Sequence, residues 1–240
     1  MPGAGAHAAA QALSASADDL LSRPLVLVVA LAVASLFPLA FMTVTAFVKI
    51  ATVLQIVRSA IGAQGVPSGT VTMALAAALT VVAMAPVGEK MAAAAAPVLA
   101  GKHGAETATL LEAGIGAVRE PLREFLRQNA SDAERARFLD VARSARPAQD
   151  RSEVGPDDLA VLVPAFVVTE LSEAFTIGFL VYLPFLVIDL VVSNVLLALG
   201  MQMLSPTQVS LPFKLLLFVA IDGWGLLSRS LVAGYAGHAP

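Results

Sequence analysis

Residues 212–224 read Pro-Phe-Lys-Leu-Leu-Leu-Phe-Val-Ala-Ile-Asp-Gly-Trp, and the apolar run continues to Tyr235. Lys214 and Asp222 are the two charged residues of this stretch. A charge at the centre of a bilayer helix costs roughly 2.5–3.5 kcal/mol, so it persists when something pairs with it. Eight residues of helix separate the two charges by about 12 Å along the axis, too far for an ion pair. The stretch therefore predicts partners on other helices or other subunits, and an assembly rather than a lone anchor.

The composition of the chain is that of a membrane protein. Its 240 residues are 58% hydrophobic and only 14% charged, whereas an ordinary soluble domain is about half apolar and a quarter charged. A net charge of −3 gives no case for nucleic acid as a partner. Without cysteine there is no disulfide, thiolate metal site or cysteine nucleophile. All three histidines lie outside the apolar segments, so we expect no histidine-based catalytic centre in the membrane.

The hydrophobic pattern predicts an all-α, membrane-associated protein with about four long, proline-kinked hydrophobic helices and a soluble helical insertion. We expect a first helix at about 24–47, with an extension to 59 left open, and a second at about 70–87. Residues 88–158 hold 10 of the 15 Lys and Arg residues and 12 of the 18 Asp and Glu residues, which marks the insertion. The predicted segments are an N-terminal tail (1–23), a first hairpin (24–87), the insertion (88–158), a second hairpin (159–235) and a C-terminal tail (236–240).

The insertion leaves two readings open. Ser131 and Glu134 form a capping-box pattern that starts a helix. The insertion either packs on its own chain or forms a collar against sister subunits. The short loop after the first helix follows Lys49 and contains Arg58, with no acidic residue between them. The positive-inside rule therefore predicts that this loop is cytoplasmic and that the insertion and both termini lie outside. The first apolar run lacks a basic n-region and a clear cleavage site, so we expect it to be retained.

The third apolar block, residues 159–204, is about twice as long as one crossing requires. We expect Pro164, Gly178 and Pro184 to divide it into helices at about 159–173 and 174–200. A turn follows at 201–206, and a last helix is predicted at about 211–235.

Charged residues in the apolar segments are the first set of candidate functional residues. Glu170 and Glu173 share one helix face. They either face solvent and cap neighbouring helices, or meet Lys49, Arg58 or Lys214 of another chain. Asp189 and Asp222 also suggest an intramembrane aspartyl protease, whose mechanism requires two aspartates close together. Ion pairing is, however, the commoner use of a buried aspartate. We predict six buried charges that serve assembly: Lys49, Glu170, Glu173, Asp189, Lys214 and Asp222.

The turn between the last two hydrophobic helices is the second candidate. Met201 and Met203 either fill gaps at a helix end, or form a deformable apolar ring if several subunits place this turn around an axis. Such a ring would part for a chain and close against water and ions. The sequence contains no G-x-x-x-x-G-K-[ST] phosphate loop and no H-E-x-x-H zinc motif, so we expect no cofactor, no metal and no enzymatic activity.

Two long stretches resemble the signatures of the FliP/SctR family of inner-membrane export-gate proteins, which serve flagellar and virulence type III secretion. They read Pro-Ala-Phe-Val-Val-Thr-Glu-Leu-Ser-Glu-Ala-Phe-Thr-Ile-Gly-Phe at 164–179 and Pro-Phe-Lys-Leu-Leu-Leu-Phe-Val-Ala-Ile-Asp-Gly-Trp at 212–224. Segments 41–49, 57–62 and 84–86 also resemble the family. Thr176 and the absence of a recognisable cleavable signal favour the virulence (injectisome) branch.

The resemblance implies a pore. Five copies would assemble with one R/T-type subunit and four Q/S-type subunits in the bacterial inner membrane, with the assembly projecting to the periplasmic side. Unfolded secreted proteins would pass along its axis, and the methionine-rich loop of the family corresponds to Met201, Gln202 and Met203. At Gln202 the sequence departs from the three consecutive methionines of many members of the family. The alternative function is a secondary transporter or ion channel that uses the buried charges as a relay, although the halves show no convincing repeat.

Overall fold

The computed structural model describes residues 28, 31–32, 35–63, 65–100, 107–201 and 203–236, with backbone only at 98–100, 107–112 and 236. In these residues every regular element is a helix, which confirms the all-α prediction. The helices are α1 (Ser35–Val44), α2 (Phe47–Ile61), α3 (Gly69–Ala100), α4 (Thr107–Asn129), α5 (Asp132–Ser144), a 3₁₀ turn (Arg151–Glu153), α6 (Leu159–Ala198), α7 (Pro206–Ala220) and α8 (Gly223–Ala236). The predicted N-terminal tail, the start of the first helix, Gln202 and residues 237–240 lie outside the described residues.

By its contacts the chain divides into a first unit that ends at Met42 and a second that begins at Thr43. In the first unit the side chains of Leu36, Leu39 and Met42 in α1 are exposed. The centres of the rings of Phe37 and Phe41 lie 6.3 Å apart. The second unit contains both predicted signatures and all six candidate charges.

The core of the second unit is built on the pair α2 and α6, which make the most extensive helix contact. The apolar positions of α2 recur at every turn, and Ile50, Val53, Leu54 and Val57 are fully buried. A methyl group added at Gly178 of α6 would lie 2.5 Å from Cδ1 of Ile56. The missing side chain at Gly178 therefore lets α2 pack against α6.

The predicted division of the third apolar block is wrong. Residues 159–198 form one helix that runs through Pro164, Gly178 and Pro184. A proline removes one hydrogen bond and kinks a helix, but the bonds on either side continue when neighbouring elements hold them. Gly178 is a site of close packing rather than a break.

Three other helix boundaries also differ from the prediction. The predicted first helix, at about 24–47 or extended to 59, is interrupted at Thr45 and Ala46 between α1 and α2. Helix α3 continues to Ala100, beyond the expected end at 87, because an alanine-rich stretch of high helix propensity follows Lys90. The predicted last helix is two helices, α7 and α8, bent by 57° at Ile221 and Asp222. By length and composition, two described helices, α3 over Gly69–Pro97 and α6, are able to cross a membrane; the number is up to four if two bent helix pairs each count as one span.

The insertion is helical in its described part, and half of the predicted capping box is present. The hydroxyl of Ser131 accepts from the amide of Glu134 at 3.3 Å, so α5 begins at Asp132 as expected. The reciprocal bond is replaced, because the amide of Ser131 donates to Oγ1 of Thr169 in α6 at 3.0 Å. The insertion is thereby attached to the apolar hairpin.

Candidate functional site

The first candidate site is a buried ionic cluster formed by Lys49, Glu170, Glu173 and Tyr235, here called the Lys49 cluster. Nζ of Lys49 lies 3.1 Å from Oε1 of Glu170 and 2.6 Å from Oε2 of Glu173. The side chains of Lys49 and Glu170 are 9% and 1% exposed, whereas that of Glu173 is 53% exposed. The predicted same-face placement of the two glutamates is what allows one lysine to reach both.

Tyr235 completes the Lys49 cluster from the end of α8. Its hydroxyl donates to the carboxylate of Glu170, and Nζ of Lys49 lies 4.5 Å from the centre of its ring. The ring of Phe125 in α4 stacks on Tyr235 at 6.0 Å. A cation over an aromatic face is attracted by the ring, so one tyrosine joins α2, α6, α8 and the insertion.

The second candidate site is the Lys214 cluster, formed by Lys214, Asp189, Ser210 and the carbonyl of Ala60. Nζ of Lys214 lies 2.6 Å from Oδ2 of Asp189 and donates to the carbonyl of Ala60 at 3.2 Å. Oγ of Ser210 donates to Oδ1 of Asp189 at 2.5 Å. The last carbonyls of a helix have no partner within it, so Lys214 both neutralises Asp189 and caps the end of α2.

These two clusters bring five of the six predicted charges together inside one chain. The sequence-based expectation was that partners lie on other helices or other subunits, and the structure gives every one of these five a partner in the same chain. Their service to assembly stays a prediction.

Asp222 lies outside both clusters. Its side chain and that of Glu173 are exposed in the single chain, so the burial of these two residues stays a prediction for the assembly. The side chain of Asp222 is 71% exposed and pairs with Arg229, which is 80% exposed, at 3.0 Å. Asp222 sits at the bend between α7 and α8, where its carboxylate is directed to the solvent side of the first turn of α8.

The third candidate site is the methionine turn, residues 199–205. Helix α6 ends in a Schellman motif: Gly200 has φ +72°, the amide of Met201 bonds to Leu196 at 2.9 Å and that of Gly200 to Leu197 at 3.1 Å. Pro206 then starts α7, with its fixed φ suited to the first helical position. The side chains of Met201 and Met203 are 49% and 99% exposed. The described residues of the turn therefore hold both methionine side chains outward.

Four residues of these sites were not singled out from the sequence: Thr169, Ser210, Tyr235 and Arg229. Thr169 directly precedes Glu170, and Ser210 lies one helical turn before Lys214. A search for polar residues next to the charged ones would therefore have found both. The long-range partners of Tyr235 have no local signal.

The arrangement of carboxylates does not match that of an aspartyl protease. Asp189 is bound by Lys214 and Ser210, and Asp222 by Arg229, so the two aspartates have separate partners. Among the described residues no group of three or more His, Asp or Glu side chains is placed to hold a metal ion.

Comparison with known proteins identifies the family of the chain. The model of the FliP family matches residues 30–231. The hypersensitivity response secretion protein HrcR of Ralstonia nicotianae is 44% identical over 209 residues, covering 87% of this chain and 95% of that protein. The Yop proteins translocation protein R of Yersinia pestis is 42% identical over 211 residues, covering 88% and 96%.

A third relative, virulence protein YscR of Salmonella typhimurium, is 37% identical over 225 residues, covering 91% of this chain and all of that protein. These names confirm the expected virulence branch. With a family match over most of its length and relatives of nearly equal length, the chain belongs to the FliP family and is a membrane component of a type III secretion export apparatus.

Proposed function

We propose that the chain is the core pore-forming subunit of this apparatus and conducts unfolded proteins across the bacterial inner membrane. The observation that carries the proposal is the methionine turn. Met203 is 99% exposed at the tip of an apolar hairpin whose charges are internally paired. A thioether is flexible and polarisable, so several copies of this turn around an axis form a seal that deforms around a passing chain.

The partners of the chain follow from the same proposal. About five copies associate with one R/T-type and four Q/S-type subunits, and the assembly projects to the periplasmic side with the insertion. The apolar side chains that α6 and α7 expose support burial against other subunits, for example Val187, Val191, Leu216 and Val219. The subunit needs no cofactor and catalyses no reaction, and energy for export comes from elsewhere.

We further propose that the buried charges act in assembly indirectly. The Lys49 and Lys214 clusters fix α2, α6, α7 and α8 in one register, so that each subunit presents the same surface to its neighbours. Polar groups that are buried in protein have hydrogen-bonding partners there. Charged, proline-containing helices are therefore tolerated inside an assembly, although they are poor spans in lipid. The relay of the rival transporter or channel hypothesis requires charges that change partners, whereas these charges have full sets of partners within the chain.

The test compares two kinds of variant in the complete apparatus. We expect Met201→Ala with Met203→Ala to leave the amount of complex unchanged and to raise ion leak severalfold, because alanine opens the ring. Lys214→Ala is expected to abolish the complex. The matched control is Met84→Ala with Met91→Ala in α3, which should change neither reading.

An unchanged leak in the turn variant would remove the methionine seal. A Lys214→Ala complex of normal amount that merely leaks would remove the assembly role. Native mass measurement of the purified particle separates the rival functions: several copies support the export gate, and a solitary chain supports the transporter.

A further inference from the structure

The joint between α7 and α8 has an unusual backbone. Asp222 has φ +50° and is the sole non-glycine residue with positive φ in the described part of the chain. Left-handed backbone penalises most L-residues, whereas glycine and, less often, asparagine and aspartate adopt it. The amide of Asp222 bonds back to Val219 at 3.1 Å, and its carbonyl accepts from Leu226 at 2.9 Å. One residue therefore ends one helix and begins the next.

The two glycines after Asp222 are required by close packing at the same joint. The ring of Phe218, only 4% exposed, occupies the space that a methyl group on Gly223 would need, and it meets the edge of Trp224 at 5.1 Å. The carboxylate of Asp222 occupies the corresponding space at Gly225. The stretch Asp-Gly-Trp-Gly is thus the sequence of a tightly packed bend.

The bend places α7 and α8 against different helices. Helix α7 packs mainly against α6, whereas α8 packs mainly against α3 and buries Leu227, Leu231 and Tyr235 along one face. A straight helix would continue along α6. The 57° bend instead takes α8 to α3 while the hydroxyl of Tyr235 still reaches Glu170.

We propose that Asp222 is a positioning residue that acts through its left-handed backbone, and that it fixes the bend that brings α8 to α3 and Tyr235 to the Lys49 cluster. Its charge is secondary, because a negative side chain at a helix N-terminus adds a small favourable interaction and its partner Arg229 is exposed. The proposal deepens the assembly role given above, and its structural test does not depend on that role.

The first experiment measures the bend directly. The chain has no cysteine, so a cysteine at Gln208 in α7 and another at Leu226 in α8, both exposed, accept spin labels without background. Labelled chain is co-expressed with excess unlabelled chain, so that most particles carry one labelled copy. We expect Asp222→Gly and Asp222→Asn to keep the distance distribution of the parent. Asp222→Ala should lower the ratio of bent to straight chains by roughly five- to thirtyfold, and Asp222→Val by more.

The second experiment separates conformation from charge. Asp222→Glu keeps the charge but not the preference for left-handed backbone, so it should lose the bend and reduce the amount of assembled complex. Arg229→Ala removes the ion pair and should change neither. The proposal is overturned if Asp222→Glu keeps the bend while Asp222→Gly and Asp222→Asn lose it, or if Arg229→Ala straightens the joint.

The two proposals fail in different ways. If the parent chain is a monomer, the proposed export-gate function is wrong, but the distance measurement still tests the bend. If the complex assembles and the bend is insensitive to residue 222, only the role of Asp222 fails.

Discussion

The Lys49 cluster and the methionine turn are the two regions that depart from the usual pattern, in which charged side chains are exposed and large apolar side chains are buried. Glu170, a carboxylate, is 1% exposed, whereas Met203, an apolar side chain, is 99% exposed. Charged groups are almost never fully buried unless paired, and the pairing of Glu170 with Lys49 and Tyr235 meets that condition inside one chain. No part of the chain that the structure describes covers Met203. The cluster therefore holds the helices of the subunit together, whereas the turn is exposed to molecules outside the subunit.

The largest expected effect is at the cluster. Lys49→Ala leaves the buried carboxylate of Glu170 without its cation, and removing one partner of a buried pair costs about 3–5 kcal/mol. We expect the apparent midpoint of thermal unfolding in detergent to fall sharply and little complex to be recovered. The control is Lys90→Ala, because Lys90 and Glu124 form an exposed pair at 3.2 Å and such pairs contribute about 0–1 kcal/mol. Equal effects of the two variants would contradict the distinction between buried and exposed pairs.

An intermediate effect is expected where the helices that carry the cluster touch. Gly178→Ala places a methyl group against Ile56, and overpacking of this kind costs about 1–3 kcal/mol. Ile56→Val removes the nearest methyl group, so the double variant should recover part of the loss in thermal stability. Gly88→Ala in α3 meets nothing within 4 Å and serves as the control. Additive effects of the two substitutions would show that the α2–α6 contact is looser than described.

The smallest effect on stability, but a specific effect on the seal, is expected at the methionine turn. Gly200→Ala forces an L-residue into left-handed backbone at a cost of about 1–2 kcal/mol. The displaced methionines should raise ion leak, measured in assembled complexes. Gly65→Ala is the matched control, since Gly65 has φ +82° in another loop with open space around it. If both variants leak equally, a general loosening rather than the position of the methionines is responsible.

The sequence predicted the kinds of element better than their ends. Spacing on one helix was enough to exclude a pair between Lys214 and Asp222 and to place Glu170 and Glu173 on one face. It did not identify Asp189 as the partner of Lys214, 25 residues away, because the pairing depends on how α6 and α7 pack. The division at Gly178 was wrong for the same reason: glycine weakens an isolated helix, but here it admits Ile56 from α2. The start of α5 was predictable, since Ser131 and Glu134 are close in sequence.

The bond between the amide of Ser131 and the hydroxyl of Thr169 has a consequence for biogenesis. The two residues are 38 positions apart, and the ribosome delivers the donor first. The N-terminus of α5 is therefore left for water to satisfy until translation has produced the first third of α6. Final docking of the insertion therefore follows the synthesis of the second apolar hairpin, so the middle of the chain reaches its final structure only after later residues have been made.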